Sequence, residues 1–206
     1  MKIEQKKLIN ICDFISGLWT GKKEPFQKIH VIRNTNFRPN AKLDLRDLAY
    51  LDVEQNLIPK KQIIKGDIIL EKSGGGPKQP VGRVVLFDLE EKNNIYSFSN
   101  FTSVIRVKDK KVILPEFLVK YLDYFYISGQ TKKMQKNSTG IRNLKMDEYK
   151  SIIIKFPSDI NEQHKLTKKL DKIEKLLENL KDTNKKKIES YIKLNKSILR
   201  DSFIFK

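Results

Sequence analysis

The sequence predicts an α/β (α+β) globular head, residues 1–158, followed by one long C-terminal α-helix, residues 159–206, that forms a coiled coil. Three observations predict it. Short runs of β-branched and aromatic residues, punctuated by Gly, Pro and Asn, recur as far as Phe156-Pro157 and read as strands. Behind Pro115, apolar residues fall at helical spacing. From Asn161 to Phe203 there is neither Pro nor Gly, and Leu166, Leu170, Ile173, Leu177 and Leu180 repeat in steps of four and three.

In chain order, residues 7–16 read as a short apolar element closed by Gly17 and Gly21. Lys28 to Arg33 is a strand, leaving through the polar turn Asn34-Thr35-Asn36-Phe37. Residues 45–50 suit a helical turn. Ile63-Ile64 and Ile68-Ile69-Leu70 flank the corner Lys65-Gly66-Asp67, which enters a buried strand. Ser73-Gly74-Gly75-Gly76-Pro77 reads as a flexible loop. Strands follow at 82–87, 95–99 and 101–107, with a charged turn from Asp88 to Asn94. Glu116 to Tyr126 is a helix whose apolar face holds Phe117, Leu118, Tyr121, Leu122 and Phe125, and Gly129 ends it. Ile152-Ile153-Ile154 is the last strand of the head.

Ser158 or Asp159 caps the long helix, with Glu162 in its first turn. Its seam continues from Leu180 through Asn184 and Lys187 to Tyr191, Leu194 and Ile198. Asn184 either sets the register of a paired helix or, with Lys187, marks a break. Some 40 helical residues span roughly 60 Å. A helix so long and polar needs another helix to cover its seam.

Of 206 residues, 39% are hydrophobic and 33% charged, which allows one ordinary core beside a heavily solvated surface. The net charge is +17. Residues 161–206 hold 13 of the 42 basic side chains against 7 of the 25 acidic ones, so most of the excess lies in the head. Charge spread over both parts suits a polyanion, although lysine decoration of a solvated surface gives the same count. Cys12 is the single cysteine and reads as a small buried residue; it builds no disulfide framework and fits a reducing compartment. The N-terminus lacks a signal-peptide layout, and no apolar run nears the ~20 residues that span a bilayer. A cytoplasmic protein with no membrane partner is expected.

Catalytic constellations fail on inspection. Gly74-Gly75-Gly76 is not followed by the Lys-Ser/Thr of a P-loop, and Pro77 and Pro80 stand where a dinucleotide-binding helix would begin. Asp67 with Glu90-Glu91-Lys92 only loosely imitates a metal-dependent nuclease. His30 and His164 have no candidate Ser or Cys partner. An adenine methyltransferase's Asn/Asp-Pro-Pro-Tyr/Phe site is missing, because the chain has no Pro-Pro pair. No catalytic residue, metal ligand or cofactor of its own is therefore expected.

Contact chemistry is better represented. Between Thr131 and Asn143, Lys132, Lys133, Lys136, Ser138 and Thr139 suit phosphates, while Asn137, Arg142 and Asn143 can read base edges. Gly140 and Ser138 shape this segment, which reads as a tightly turned loop. Arg33, Asn34 and Asn36 form a second cluster at a strand exit. Lys72, Lys78 and Gln79 flank the glycine loop, placed either for close approach to a nucleic-acid backbone or in an ordinary connection. Solvated loops are the plain alternative for all three clusters.

Taken together, Gly66-Asp67-Ile68-Ile69-Leu70, Gly74-Gly75-Gly76, Pro80-Val81-Gly82-Arg83, Phe98-Ser99-Asn100-Phe101, Ser138-Thr139-Gly140-Ile141-Arg142-Asn143-Leu144 and Pro157 with Glu162-Gln163 stand in an informative order. That order closely resembles the target-recognition domain and following helix of type I restriction–modification specificity subunits, over nearly the whole chain. The resemblance implies a head that reads half of a bipartite double-stranded DNA target. It implies a helix serving as spacer and dock for methyltransferase subunits. The family has no catalytic residues of its own. S-adenosylmethionine belongs to the methyltransferase, and ATP and Mg belong with the partner subunits, among them a motor–nuclease restriction subunit.

The chain differs from a usual specificity subunit, which has two recognition domains and two antiparallel helices, in holding one of each without an internal repeat. Two copies related by a two-fold axis would rebuild the pair, with Leu166, Leu170, Ile173, Leu177, Leu180, Asn184, Tyr191, Leu194 and Ile198 facing the mate. Identical heads then predict an interrupted palindrome as target. The competing readings are a basic coiled-coil scaffold that binds DNA without sequence preference, and a nuclease or methyltransferase fragment.

Overall fold

The computed structural model describes residues 2–18, 20–76, 79–90, 94–138 and 140–203, and the chain divides into two compact units, 1–165 and 166–206. In chain order the first unit begins β1 (Ile3–Lys7), α1 (Leu8–Ile11), β2 (Cys12–Ser16) and β3 (Phe26–Ile32). A 3₁₀ turn at Asn34–Asn36 leads to β4 (Phe37–Arg38), β5 (Lys42–Leu43) and β6 (Ala49–Glu54). Next come α2 (Ile58–Lys61), β7 (Ile68–Glu71), β8 (Ser73–Gly75), β9 (Val84–Leu86), β10 (Tyr96–Phe98) and β11 (Thr102–Val107). Then follow α3 (Pro115–Ile127), a 3₁₀ turn at Gln130–Met134, β12 (Gln135–Ser138), β13 (Ile141–Leu144), α4 (Met146–Lys150) and β14 (Ile153–Pro157). The last element is α5 (Ile160–Phe203).

The core is layered. An antiparallel sheet in the order β2-β11-β7-β9 is apolar on both faces, so β7 reads Ile-Ile-Leu-Glu with every residue buried. Ile68 and Leu70 face one cluster, with Cys12, Ile105, Leu118 and Leu122. Ile69, between them, faces the other, with Val85, Val104, Phe98 and Ile32. Packed behind that second cluster is the sheet β10-β3-β6, whose far side holds Ile29, Val31 and Val53. Each fully buried aliphatic side chain contributes roughly 1.5–3 kcal/mol. A ribbon of β1 and β14, the short pair β4-β5 and a three-stranded sheet β12-β13-β8 complete the unit.

Several elements differ from the expectation. Residues 7–16 are not one element; the chain turns through α1 between β1 and β2. The helical turn expected at 45–50 is absent, and Ala49 enters β6 instead. β6 is an edge strand with Tyr50, Leu51 and Asp52 exposed, so its pattern lacks alternation, and pairing with β3 decides its form. Part of the expected glycine loop is β8, and the 131–143 loop is a 3₁₀ turn followed by a hairpin. Gly140 lies at the hairpin's tip with φ of 80°, a backbone region costly for other residues.

Asp159 caps the long helix, its Oδ1 accepting from the Asn161 N–H at 2.8 Å. Gln163 is fully buried in the first unit. Its Oε1 accepts from the Leu114 N–H, and its Nε2 donates to the carbonyls of Val112 and Pro157. That amide ties the helix start to β14 and to the segment leading into α3. The helix runs unbroken through Asn184 and Lys187. At 44 residues it is about 66 Å long.

Candidate nucleic-acid interface

The site grows from the turn behind β3. The Arg33 N–H donates to Asn36 Oδ1 at 2.8 Å, and Asn36 Nδ2 donates to the carbonyls of Asp47 at 2.8 Å and Asp44 at 3.0 Å. Asn36 is 2% exposed. Its amide is consumed at both ends, so Asn36 braces the turn rather than meeting a ligand, a correction to its expected contact role. Arg33 reaches Asp47 at 3.3 Å across an exposed ion pair of little energetic weight.

Asn34 is placed differently. Its Nδ2 donates to Glu71 Oε1 at 3.1 Å. Glu71 ends β7 and is 1% exposed, and Arg83, just before β9, grips it with Nε at 2.7 Å and Nη2 at 2.8 Å. The same Nη2 donates to the Asn34 carbonyl at 3.2 Å. Burial alone would lower the affinity of Arg83 for its proton, but Glu71 holds it above its ordinary value. The Arg83 guanidinium also lies over the Phe37 ring, 5.5 Å from its centre. Gln79 is exposed and rests on that guanidinium, its amide oxygen placed to accept at 3.0 Å.

Two clefts open beside Asn34. One, of about 260 Å³, is lined by Glu71, Gly74, Gln79 and Arg83. The other, of about 520 Å³, is lined by Arg33, Leu51, Asn100 and Phe101 among others. Asn34 borders both. Gly74, with φ of 97°, makes room: a Cβ there would lie 3.0 Å from Asn34 Nδ2 and 3.4 Å from the Phe101 ring.

The glycine ribbon joins this turn to the hairpin. β13 pairs Arg142 with Gly75 and Asn143 with Ser73, and the Ser73 hydroxyl donates to Asn143 Oδ1. The N–H groups of Lys72 and Ser73 both donate to the Phe101 carbonyl. Lys72 is partly buried, and that burial, with Lys61 nearby, lowers the pKa of its ammonium. A phosphate brought to Lys72 would offset that lowering through its opposite charge. Lys136 lies opposite Asn143 in the hairpin, and Lys132 and Lys133 are exposed on the preceding 3₁₀ turn.

Of the expected contact residues, Asn34, Lys72, Gln79, Arg142 and Asn143 are thus gathered around one ribbon, with Lys136 on the adjoining strand. Lys78 and Thr139 lie outside the described residues, as do the side chains of Asn137 and Ser138. Sequence reasoning missed Glu71, Arg83 and Phe101. The signal for the first two was an acidic residue closing an apolar strand and an arginine opening the next. Asp67, weighed above as a nuclease carboxylate, is engaged by the Ile64 N–H and by Arg106 at 2.7 and 2.8 Å, and Glu90 pairs with Lys65. Glu91 and Lys92 lie outside the described residues.

In the second unit, Leu170, Ile173, Leu177, Leu180, Tyr191, Leu194 and Ile198 are exposed along α5. Ile188 is exposed too, and at 100° per residue it falls within about 20° of the line of Leu177. Lys187 falls equally close to the line of Leu180, so the exposed apolar stripe broadens to take in Ile188 beside the Lys187 position. Among the described residues no helix is long and apolar enough to cross a membrane.

The chain is thus a sheet-built first unit followed by a long helix with an apolar stripe. The chain matches the type I restriction modification DNA specificity domain over residues 2–190, and it belongs to that family. No curated protein matches it. Among solved structures it is similar to a chain from work on complex assembly and conformational transition of the type I R-M system, at 16% identity and a TM-score of 0.69, covering 98% of this chain and 45% of that one. It is also similar to the type I restriction-modification S subunit of M. genitalium, at 17% identity and a TM-score of 0.53, covering 98% and 44%. The HsdS subunit of Thermoanaerobacter tengcongensis gives 17% identity and a TM-score of 0.59, covering 88% and 39%. The chain spans less than half the length of each of these solved chains, and at such identities the likeness concerns the fold.

Proposed function

We propose that this chain is a sequence-specific DNA-binding specificity subunit that reads one half of a bipartite target and directs adenine methylation, or restriction, by partner subunits. The observation that carries the reading is the gathering of polar groups about the Ser73–Gly75 ribbon, with Asn34 beside Gly74 and the Arg142–Asn143 strand paired to Gly75 and Ser73. It sets amide and guanidinium groups, which read base edges, beside lysines that hold phosphates. Membership of the specificity-domain family supports it, and the net charge of +17 agrees.

In this reading the protein works in the cytoplasm. Its α5 stripe pairs with a second copy, antiparallel as the family resemblance implies, and docks methyltransferase subunits. S-adenosylmethionine, ATP and Mg are bound by partners, and a restriction subunit joins for cleavage. A decisive variant is Arg142→Ala. With the methyltransferase present, it is expected to lose roughly tenfold or more in discrimination between target and random DNA while its Tm stays within a few degrees. A variant that melts early yet keeps full discrimination would make the strand structural and overturn the assignment.

A further inference from the structure

We propose that Asn34 is a specificity-determining residue that reads the exocyclic amino group of an adenine or cytosine, and that Glu71 is its positioning residue. The inference rests on the DNA-reading function proposed above and assigns to one side chain a defined share of it.

An asparagine amide has a donor end and an acceptor end, and a free one can swap them by rotation about its last bond. Asn34 is not free. A carboxylate accepts only, so the 3.1 Å contact with Glu71 Oε1 must be made by Nδ2. Glu71 itself is fixed, 1% exposed at the end of a core strand and gripped by two Arg83 nitrogens. Arg83 closes the ring by donating to the Asn34 carbonyl. The outcome is an amide whose orientation is set before any ligand arrives, with Oδ1 as the end left to read. Among the described residues no donor reaches that oxygen.

The partner that suits a fixed acceptor is a base-edge donor. In the major groove those are N6 of adenine and N4 of cytosine. The second Nδ2 hydrogen can also donate to N7, which favours adenine through a paired contact. Prior orientation lowers the entropic cost of binding and penalises bases that present an acceptor there. Gly74 is part of the device, because a Cβ there would meet Asn34 Nδ2 at 3.0 Å.

The test is affinity selection from randomised duplex DNA, using the chain assembled with its methyltransferase. Wild type, Asn34→Ala, Glu71→Gln and the double variant are compared, with Tm measured for each. Wild type is expected to select a bipartite motif. Asn34→Ala should lose roughly tenfold or more of the preference at one base pair per half-site, leaving other positions and the spacing intact. Glu71→Gln should relax that same base pair, and in the Asn34→Ala background it should change the motif no further. A merely structural Glu71 would instead weaken every position alike, in step with any fall in Tm. An Asn34→Ala variant selecting the wild-type motif overturns the inference while leaving the specificity role standing. A wild-type complex that selects no motif overturns the specificity role itself.

Discussion

At the residue scale, the charged groups with the firmest surroundings are structural. Asp67 is 1% exposed and held by two Arg106 nitrogens. Arg106→Ala would strand that carboxylate, so a loss of about 3 kcal/mol is expected in chemical denaturation, with the selected DNA motif unchanged. An equally stable variant would show that Asp67 is solvated or protonated. Cys12 is the second case: burial pushes its thiol from 9.0 up to about 12. The folded state then keeps a proton that the unfolded state releases. Stability from this group is full below pH 9.0 and is lost as pH rises toward about 12. Compared with Cys12→Val, wild type should lose stability more steeply across that window; parallel curves would contradict it. The polar clusters of the first unit were legible in the sequence as Asn, Arg and Lys next to turns. Their division of labour was not, because only the fold shows that Asn36 points inward while Asn34 stands on Glu71.

At the element scale, what was legible were the features with local causes. Proline at the start of α3, an aspartate cap on α5 and the absence of breakers over 161–203 each act within a few residues. The elements that escaped depend on distant partners. β6 exists because β3 pairs with it, and β8 because Arg142 and Asn143 arrive from some 70 residues away. No periodicity encodes such pairing. The stripe on α5 shows a subtler limit. A strict heptad count leads to Lys187, while on a straight helix Ile188, an exposed apolar residue, lies within about 20° of Leu177. If the helix self-associates through this stripe, Ile188→Asp should weaken the dimer at least tenfold in sedimentation equilibrium, while Lys187→Asp leaves it nearly unchanged. Equal effects, or the reverse order, would favour the heptad seam through Lys187.

At the scale of the whole molecule, the proposed function gives recognition to the polar groups of the first unit and assembly to the apolar stripe of the second. Neither unit suffices in this account: a head alone would read half a target, and a helix alone would read none. The order of weak motifs along the chain pointed to the family better than any single motif did, since each is short enough to recur by chance. The most direct measurement is a methylome. The chain would be expressed with its cognate methyltransferase in a host lacking adenine methylation, and modified adenines mapped in the host DNA. The account predicts modification at one interrupted palindrome, appearing only when both proteins are present. Soluble, co-purifying proteins that leave the DNA unmodified, or modification without regard to sequence, would contradict it.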